Sequence, residues 1–248
     1  MDWHKGRERI AHAIHLDLTH NQVRYAAALM QFVQPGVRWL DVGCGHSIVP
    51  EWALPLPEQA RLVRRAEFLI GVDVDDGISR HPLLTHRVKA LGGYLPFRDE
   101  TFHLVTANMV VEHLADPEEF LRDIFRVLRP GGHFVFVTPN VLSPLVFVSH
   151  LIPDGAKKHI VGFLENRHEE DIFPTRYRMN RPRAIAQAAS QAGLETEEIR
   201  MIGSSGTFYR MGPVSWLECF ALKAQAICFH GTLQPDILSV LSRKPARN

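Results

Sequence analysis

The stretch Val37–Ser47 reads VRWLDVGCGHS. Val37, Trp39, Leu40 and Val42 make a short apolar run of the kind that forms a strand covered on both faces. The run carries Asp41 at its end and is followed by Gly43 and Gly45. Glycines at a strand end allow a tight turn and let a ligand approach the backbone closely. Open α/β sheets bind their ligands at the carboxyl ends of the strands. A second run, Glu67–Val74 (EFLIGVDV), also ends in an acid, Asp73, where a strand of the same sheet can present it to ribose hydroxyls. The two runs together predict a sheet that holds a ligand carrying a nucleoside.

The residues missing from the loop narrow the ligand. No GK[ST] follows the glycines, so the lysine and hydroxyl that serve a magnesium-bound triphosphate are lacking. In the dinucleotide pattern GxGxxG the third glycine would fall at Ile48, whose branched side chain does not suit close packing against a pyrophosphate. A nicotinamide oxidoreductase is disfavoured on the same ground. S-adenosylmethionine remains among the common ligands: its ribose needs an acid, and its amino acid end needs no phosphate cradle.

From Gly93 the chain reads GYLPFRDETFHLVTANMVVEHLADPEEFLRDIFRVLRPGGHFVFVTPN. With its LPFRDETF loop, EHL segment and RVLRPGG turn in order after DVGCG, the chain resembles the class I S-adenosylmethionine-dependent methyltransferases, in the type 11-like group. The resemblance covers Val37–Asn140 closely and the rest in outline. It implies an α/β, Rossmann-like, seven-stranded, mostly parallel sheet with helices on both faces and an antiparallel last strand. It also implies S-adenosylmethionine as cofactor, with S-adenosylhomocysteine as product. The residues it assigns to the cofactor are Asp41, Gly43, Cys44 and Gly45 in the first loop, Asp73 and Val74 after the second strand, Leu91 and Gly92 beside the adenine, and Asn108 at the end of the fourth strand.

This sequence departs from the group at three places. Ser47 stands where many relatives have a third glycine, and its hydroxyl is a candidate donor. Leu91 stands where an acid often receives the adenine amino group, so adenine recognition falls to backbone around Leu91 and Gly92 and to apolar sandwiching. The common Phe-Asp of the next strand is Phe102-His103, which removes a structural acid.

Periodicity fills in the elements. Phe102–Met109 is an apolar run suited to a buried strand. Asp116, Pro117 and Glu119 predict a helix start by side-chain capping, and Phe120, Leu121, Ile124, Val127 and Leu128 give it one apolar face. Pro130, Gly131 and Gly132 are expected to stop that helix before a strand at His133–Thr138, which Pro139 ends. Strand, helix, strand at this spacing is a right-handed parallel crossover. Asn21–Val33 reads as a helix, and residues 1–36 as a helical cover over the site. Pro50–Arg65, with three prolines, predicts a short or shifted helix. Asn180 is expected to cap a helix that begins at Arg181 and Pro182 and ends at Gly193. Glu197–Ile202 reads as a strand near the sheet edge and Ile237–Leu241 as the last strand. One domain spans residues 1–248, with 141–181 as a variable lid that recognises the acceptor.

Composition excludes other classes. The chain has 248 residues with 28 Lys and Arg against 27 Asp and Glu, so nothing electrostatic points to nucleic acid as the main partner. Cys44, Cys219 and Cys228 have no metal-ligand spacing, and so sparse a set fits reduced thiols in a cytoplasm. The start, MDWHKGRERIAHAIH, is too polar for a signal peptide, and no apolar run reaches the roughly 20 residues that cross a bilayer. The oligomeric state is not readable.

The acceptor is expected to be a small molecule, most plausibly methylated at the oxygen of a hydroxyl in a sugar, a lipid-linked glycan or a secondary metabolite. In-line transfer from a sulfonium gains much from alignment alone, and a hydroxyl acceptor also needs somewhere to send its proton. His113, beyond the fourth strand, is the candidate base; ordering of the loop by Glu112 and His113 is the alternative. His46, His150, His159 and His168 lack matched ligand spacing, so no metal is expected. Arg176, Tyr177 and Arg178 are candidates for gripping an anionic or sugar-like acceptor. The alternative from another class is a catalytically inactive, cofactor-binding interaction module.

Overall fold

The computed structural model describes residues 3–90, 94–143, 174–203, 214–228 and 233–245. Leu91 and Gly92, and most of the 141–181 segment, lie outside the described residues, as do His150, His159 and His168. Seven strands form one sheet in the order β3-β2-β1-β4-β5-β7-β6. They are β1 (Arg38–Val42), β2 (Phe68–Asp73), β3 (His86–Lys89), β4 (Phe102–Asn108), β5 (Leu128–Pro139), β6 (Glu195–Ile202) and β7 (Asp236–Ser242). Pairings from β3 to β5 are parallel, and the β5-β7-β6 end is antiparallel. The expected fold class therefore stands.

The chain divides into two compact units: Met1–Asn21 with Pro139–Pro174 and Met201–Asp236, and Gln22–Thr138 with Thr175–Arg200 and Ile237–Asn248. Nearly all of the parallel sheet lies in the second unit. So do α3 (Leu56–Val63), α4 (Pro117–Val127), α5 (Pro182–Gln191) and all but the first residue of α2 (Asn21–Phe32). β1 is central because its side chains can be covered on both faces: Trp39 and Leu40 are fully buried between β2 and β4. Each large apolar side chain hidden this way contributes about 1.5–3 kcal/mol.

The start of α4 follows its sequence. Asp116 has an extended backbone, and its side-chain oxygen accepts the Glu119 N–H at 2.9 Å, with Pro117 in the first turn. Phe120, Leu121, Ile124 and Val127 are buried. The opposite end differs from expectation: α4 stops at Val127, and Leu128 with the Arg-Pro-Gly-Gly stretch already belongs to β5. The reason is pairing. Leu128 lies opposite Phe102 while His133 lies opposite Leu104, so residues 129–132 bulge out of the ladder. Gly131, at φ +80°, donates its N–H to Arg243 O at 2.8 Å, and Arg243 N returns a bond to Gly132 O at 3.0 Å.

The LPF loop is anchored to α4. The Leu95 N–H donates to the Asp123 carboxylate, and Arg126 donates to Phe97 O, Leu95 O and Asp99 at 2.6, 2.8 and 3.0 Å. His103, where relatives have an acid, still serves as an acceptor: its Nδ1 takes the Arg38 N–H at 3.1 Å. Burial and the Arg129 and Arg38 charges hold this imidazole below its ordinary pKa, which keeps it neutral for that task.

In the first unit, α1 (Trp3–Ala13) packs on α6 (Val214–Cys228). Gly6 makes the contact possible, since a Cβ there would lie 2.9 Å from the Trp216 ring. No helix at 214–228 was expected, because its apolar residues lie all around the axis and leave no period to read. Among the described residues no helix is long and apolar enough to cross a membrane.

Candidate functional site

β1 and β2 end side by side, with Asp41 opposite Gly71 and Val42 opposite Val72. The loop after β1 then turns across the end of β2. Gly43 and Cys44 donate their N–H groups to Val72 O at 2.7 and 3.3 Å. Gly43 sits at φ +64°, and a Cβ there would lie 2.3 Å from Cγ2 of Val110. Both the backbone angle and Val110 therefore require glycine. Gly45 is different: it also has positive φ (+49°), but nothing lies within 4 Å of where its Cβ would be. The open side of the turn is at Gly45.

Asp73 ends β2 beside that opening. Its Oδ2 accepts the Gly45 N–H at 2.7 Å and its Oδ1 accepts the Asp75 N–H at 2.9 Å. The carboxylate is half-buried, and Val74 next to it is exposed. Asp75, two residues on, is spent elsewhere: its side chain caps the single-turn helix Asp76–Arg80 by accepting the Gly77 N–H. A side-chain-free opening beside a half-exposed carboxylate fits an adenosyl ligand with two ribose hydroxyls.

Asp41 is buried beneath the turn. Its Oδ1 accepts the Thr106 hydroxyl at 2.6 Å, and Thr106 in turn accepts the Trp39 indole N–H at 2.7 Å. Burial pushes the Asp41 carboxyl up to about 7; the Thr106 bond opposes this and the nearby Asp73 charge adds to it. Tyr25 of α2 is also fully buried, and burial together with the Asp41 charge raises its phenol well above the ordinary range. Two carboxylates at one strand mouth make a site that favours a cation. The Cys44 thiol does not face this mouth. It is buried against Gly71, where a Cβ would meet Sγ at 2.6 Å, and burial raises its pKa strongly. Cys44 thus belongs to the turn through its backbone.

Asn108, at the end of β4, forms a reciprocal amide pair with Gln22 of α2. Gln22 Nε2 donates to Asn108 Oδ1 at 2.9 Å, and Asn108 Nδ2 donates to Gln22 Oε1 at 2.8 Å and to Ile48 O at 3.3 Å. The pair ties α2 to the strand mouth. Met109 follows at φ +57° and Tyr177 has φ +50°, two non-glycine residues in a conformation that concentrates at functional sites.

His113 closes the short helix Val111–His113 beyond β4, with its side chain 30% exposed. Its Nε2 lies 3.9 Å from Oε1 of the buried Glu112. The Glu112 backbone carbonyl accepts the N–H groups of Arg176 and Tyr177 at 2.7 and 3.1 Å, and Arg178 donates to Ala115 O at 2.6 Å. Residues 176–178 are thus brought beside His113. The sequence reading missed Thr138 and Asn180. Thr138 Oγ1 donates to Glu112 Oε2 at 3.0 Å and accepts from Asn180 Nδ2 at 2.7 Å. Asn180 does not cap α5; Arg181 holds that place without a side-chain bond. Full burial turned the Asn180 amide to Thr138, a pairing 42 residues apart that no local pattern signals.

His46 is exposed on the turn. Its neighbour His81 is buried, and burial with the Arg87 and His46 charges lowers it to about 4. Among the described residues no three His, Cys, Asp or Glu side chains cluster as a metal site.

Known proteins resemble this chain in sequence and in fold. A protein named ubiquinone biosynthesis O-methyltransferase, from Xanthomonas oryzae, is 28% identical over 169 residues, which is 64% of this chain and 67% of the relative. Its namesake from Xanthomonas campestris is 25% identical over 213 residues, 82% of this chain and 77% of the relative. The crystal structure of an S-adenosylmethionine-dependent methyltransferase from Mesorhizobium loti superposes with a TM-score of 0.55 at 16% identity, covering 88% of this chain and 96% of that one; this likeness is one of fold. Residues 3–199 match the model of the methyltransferase domain family. The chain belongs to that family and is a class I S-adenosylmethionine-dependent methyltransferase.

Proposed function

We propose that this enzyme methylates a hydroxyl oxygen of a small molecule, with His113 receiving the hydroxyl proton. The observation that carries the reading is His113 itself: a part-exposed imidazole beyond β4, backed at 3.9 Å by a buried carboxylate. Histidine is the side chain best suited to exchange a proton under physiological conditions, and a carboxylate lies beside this one. The names of the relatives, which specify O-methylation, support the same chemistry.

When bound, S-adenosylmethionine supplies an electrophilic methyl on a sulfonium. The residues that would hold it are Asp73 for the ribose hydroxyls, with Val74 alongside, and Gly43, Cys44 and Gly45 for backbone approach. Asp41 lies below, buried against Thr106, and Asn108 stands at the wall. Leu91 and Gly92 remain the proposed adenine contacts. Arg176, Tyr177 and Arg178 would hold the acceptor near His113.

Sugar, lipid-linked glycan and secondary-metabolite hydroxyls are all acceptors of the proposed type. A phenolic hydroxyl, with a pKa of about 10, gives up its proton more readily than a sugar hydroxyl and so suits a histidine acceptor best. A quinone precursor with a ring hydroxyl is accordingly the first acceptor to assay. The test is calorimetry with S-adenosylmethionine and S-adenosylhomocysteine, followed by transfer of labelled methyl to catechols and to sugars. Label on oxygen is expected. Tight cofactor binding with no transfer to any hydroxyl acceptor would overturn the reading in favour of an interaction module.

A further inference from the structure

Three side chains behind His113 are almost completely hidden from solvent: Glu112 at 3%, and Thr138 and Asn180 at 0%. Two hydrogen bonds link them in one direction. Asn180 Nδ2 donates to Thr138 Oγ1 at 2.7 Å, and the same oxygen donates its proton to Glu112 Oε2 at 3.0 Å. A hydroxyl that accepts one hydrogen bond becomes a better donor in the next, so the chain concentrates positive polarity on Oε2. The other oxygen, Oε1, is the one 3.9 Å from His113 Nε2. Burying a carboxylate is costly unless hydrogen bonds and a cation compensate. Two backbone N–H groups, from Arg176 and Tyr177, hold the Glu112 carbonyl and so fix the main chain from which its side chain rises.

We propose that Glu112 is a positioning residue for His113: its carboxylate, held by Thr138 and Asn180, faces Nε2 and stabilises the imidazolium formed when Nδ1 takes the acceptor proton. This inference rests on His113 serving as the proton acceptor. In the step, the acceptor O–H bond breaks and its proton forms the Nδ1–H bond. The oxygen lone pair bonds the methyl carbon as the carbon–sulfur pair returns to sulfur. One positive charge leaves the sulfonium and one appears on the imidazole beside Glu112.

Histidine NMR on the full-length protein tests this without an acceptor. The His113 resonance is assigned by its absence from the His113→Ala spectrum. Glu112→Gln should lower the His113 titration midpoint, because it removes the opposite charge 3.9 Å from Nε2. In acceptor assays the acid limb of kcat/KM should move down by the same amount, and Glu112→Asp should restore part of it. A Glu112 that only braces the loop would lower activity and leave midpoint and limb in place, which would overturn the pairing. Should Glu112→Gln fail to fold, Glu112→Asp still decides: drawing the carboxylate back by one carbon should move the acid limb part of the way, and an unmoved limb overturns the pairing. Full turnover by His113→Ala would instead sink the proton-acceptor reading, whatever the titration shows.

Discussion

The carboxylate of Asp73 accepts the amide proton of Gly45 at 2.7 Å, across the ends of two parallel strands. The same oxygen pair that would meet ribose hydroxyls therefore also shapes the turn. Asp73→Asn keeps the outline of the side chain but removes its charge and one acceptor. Cofactor affinity should fall by about 1.5–3 kcal/mol, the range for hydrogen bonds to a charged group. Isothermal calorimetry with S-adenosylhomocysteine measures it, and undiminished affinity would remove Asp73 from the site.

Gly43→Ala brings two penalties, positive φ and the 2.3 Å approach to Val110. The variant should lose thermal stability and cofactor affinity together. Adding Val110→Ala relieves the contact but not the backbone angle, so the double variant should recover only part of the loss. Complete recovery in thermal unfolding would show that sterics alone set the requirement.

Two buried groups tilt the stability of the free protein in opposite directions with pH. Asp41 titrates at about 7 when folded and near 3.9 when unfolded, so its contribution is fully present below about pH 4 and is lost as pH rises to 7. His81 titrates at about 4 when folded and near 6.5 when unfolded, so its contribution is present above about pH 6.5 and is lost as pH falls through 4. The slopes oppose one another over pH 4–6.5. Asp41→Asn should unmask the His81 slope, giving a protein whose urea midpoint climbs with pH over this window. A flat profile in that variant would contradict the His81 assignment. Binding of the sulfonium cofactor to the wild type near pH 6 should release protons from Asp41, detectable as a calorimetric heat that varies with buffer ionisation enthalpy.

Asp116→Ala removes the cap of α4, a loss of about 1 kcal/mol in unfolding free energy. Asp116 holds only its own helix end, so cofactor affinity should stay unchanged. A shift in affinity would mean that α4 communicates with the strand mouth.

Much of this arrangement was legible in the residues because the signals are local. An apolar run ending in Asp41 and two glycines specifies a strand and its turn wherever it occurs, and Asp116-Pro117 specifies a helix start. Asp73 was legible because it ends the apolar run, whereas the next acid but one, Asp75, caps its own short helix. What was misread depends on partners distant in sequence. Pro130-Gly131-Gly132 looks like a helix stop, but pairing with β4 and Arg243 draws it into β5. Asn180 has the side chain of a cap, but burial against Thr138 claims it. The support behind His113 was invisible for the same reason, since Glu112, Thr138 and Asn180 meet only in the fold.

Trp39 lies fully inside the sheet, and its indole N–H reaches Asp41 through a single hydroxyl, that of Thr106. Gain or loss of charge on that carboxylate alters the electric field along the ring. The enzyme therefore carries its own optical gauge: ultraviolet emission from Trp39, isolated by replacing the other three tryptophans with phenylalanine, should change colour as the cofactor enters and again as it leaves spent.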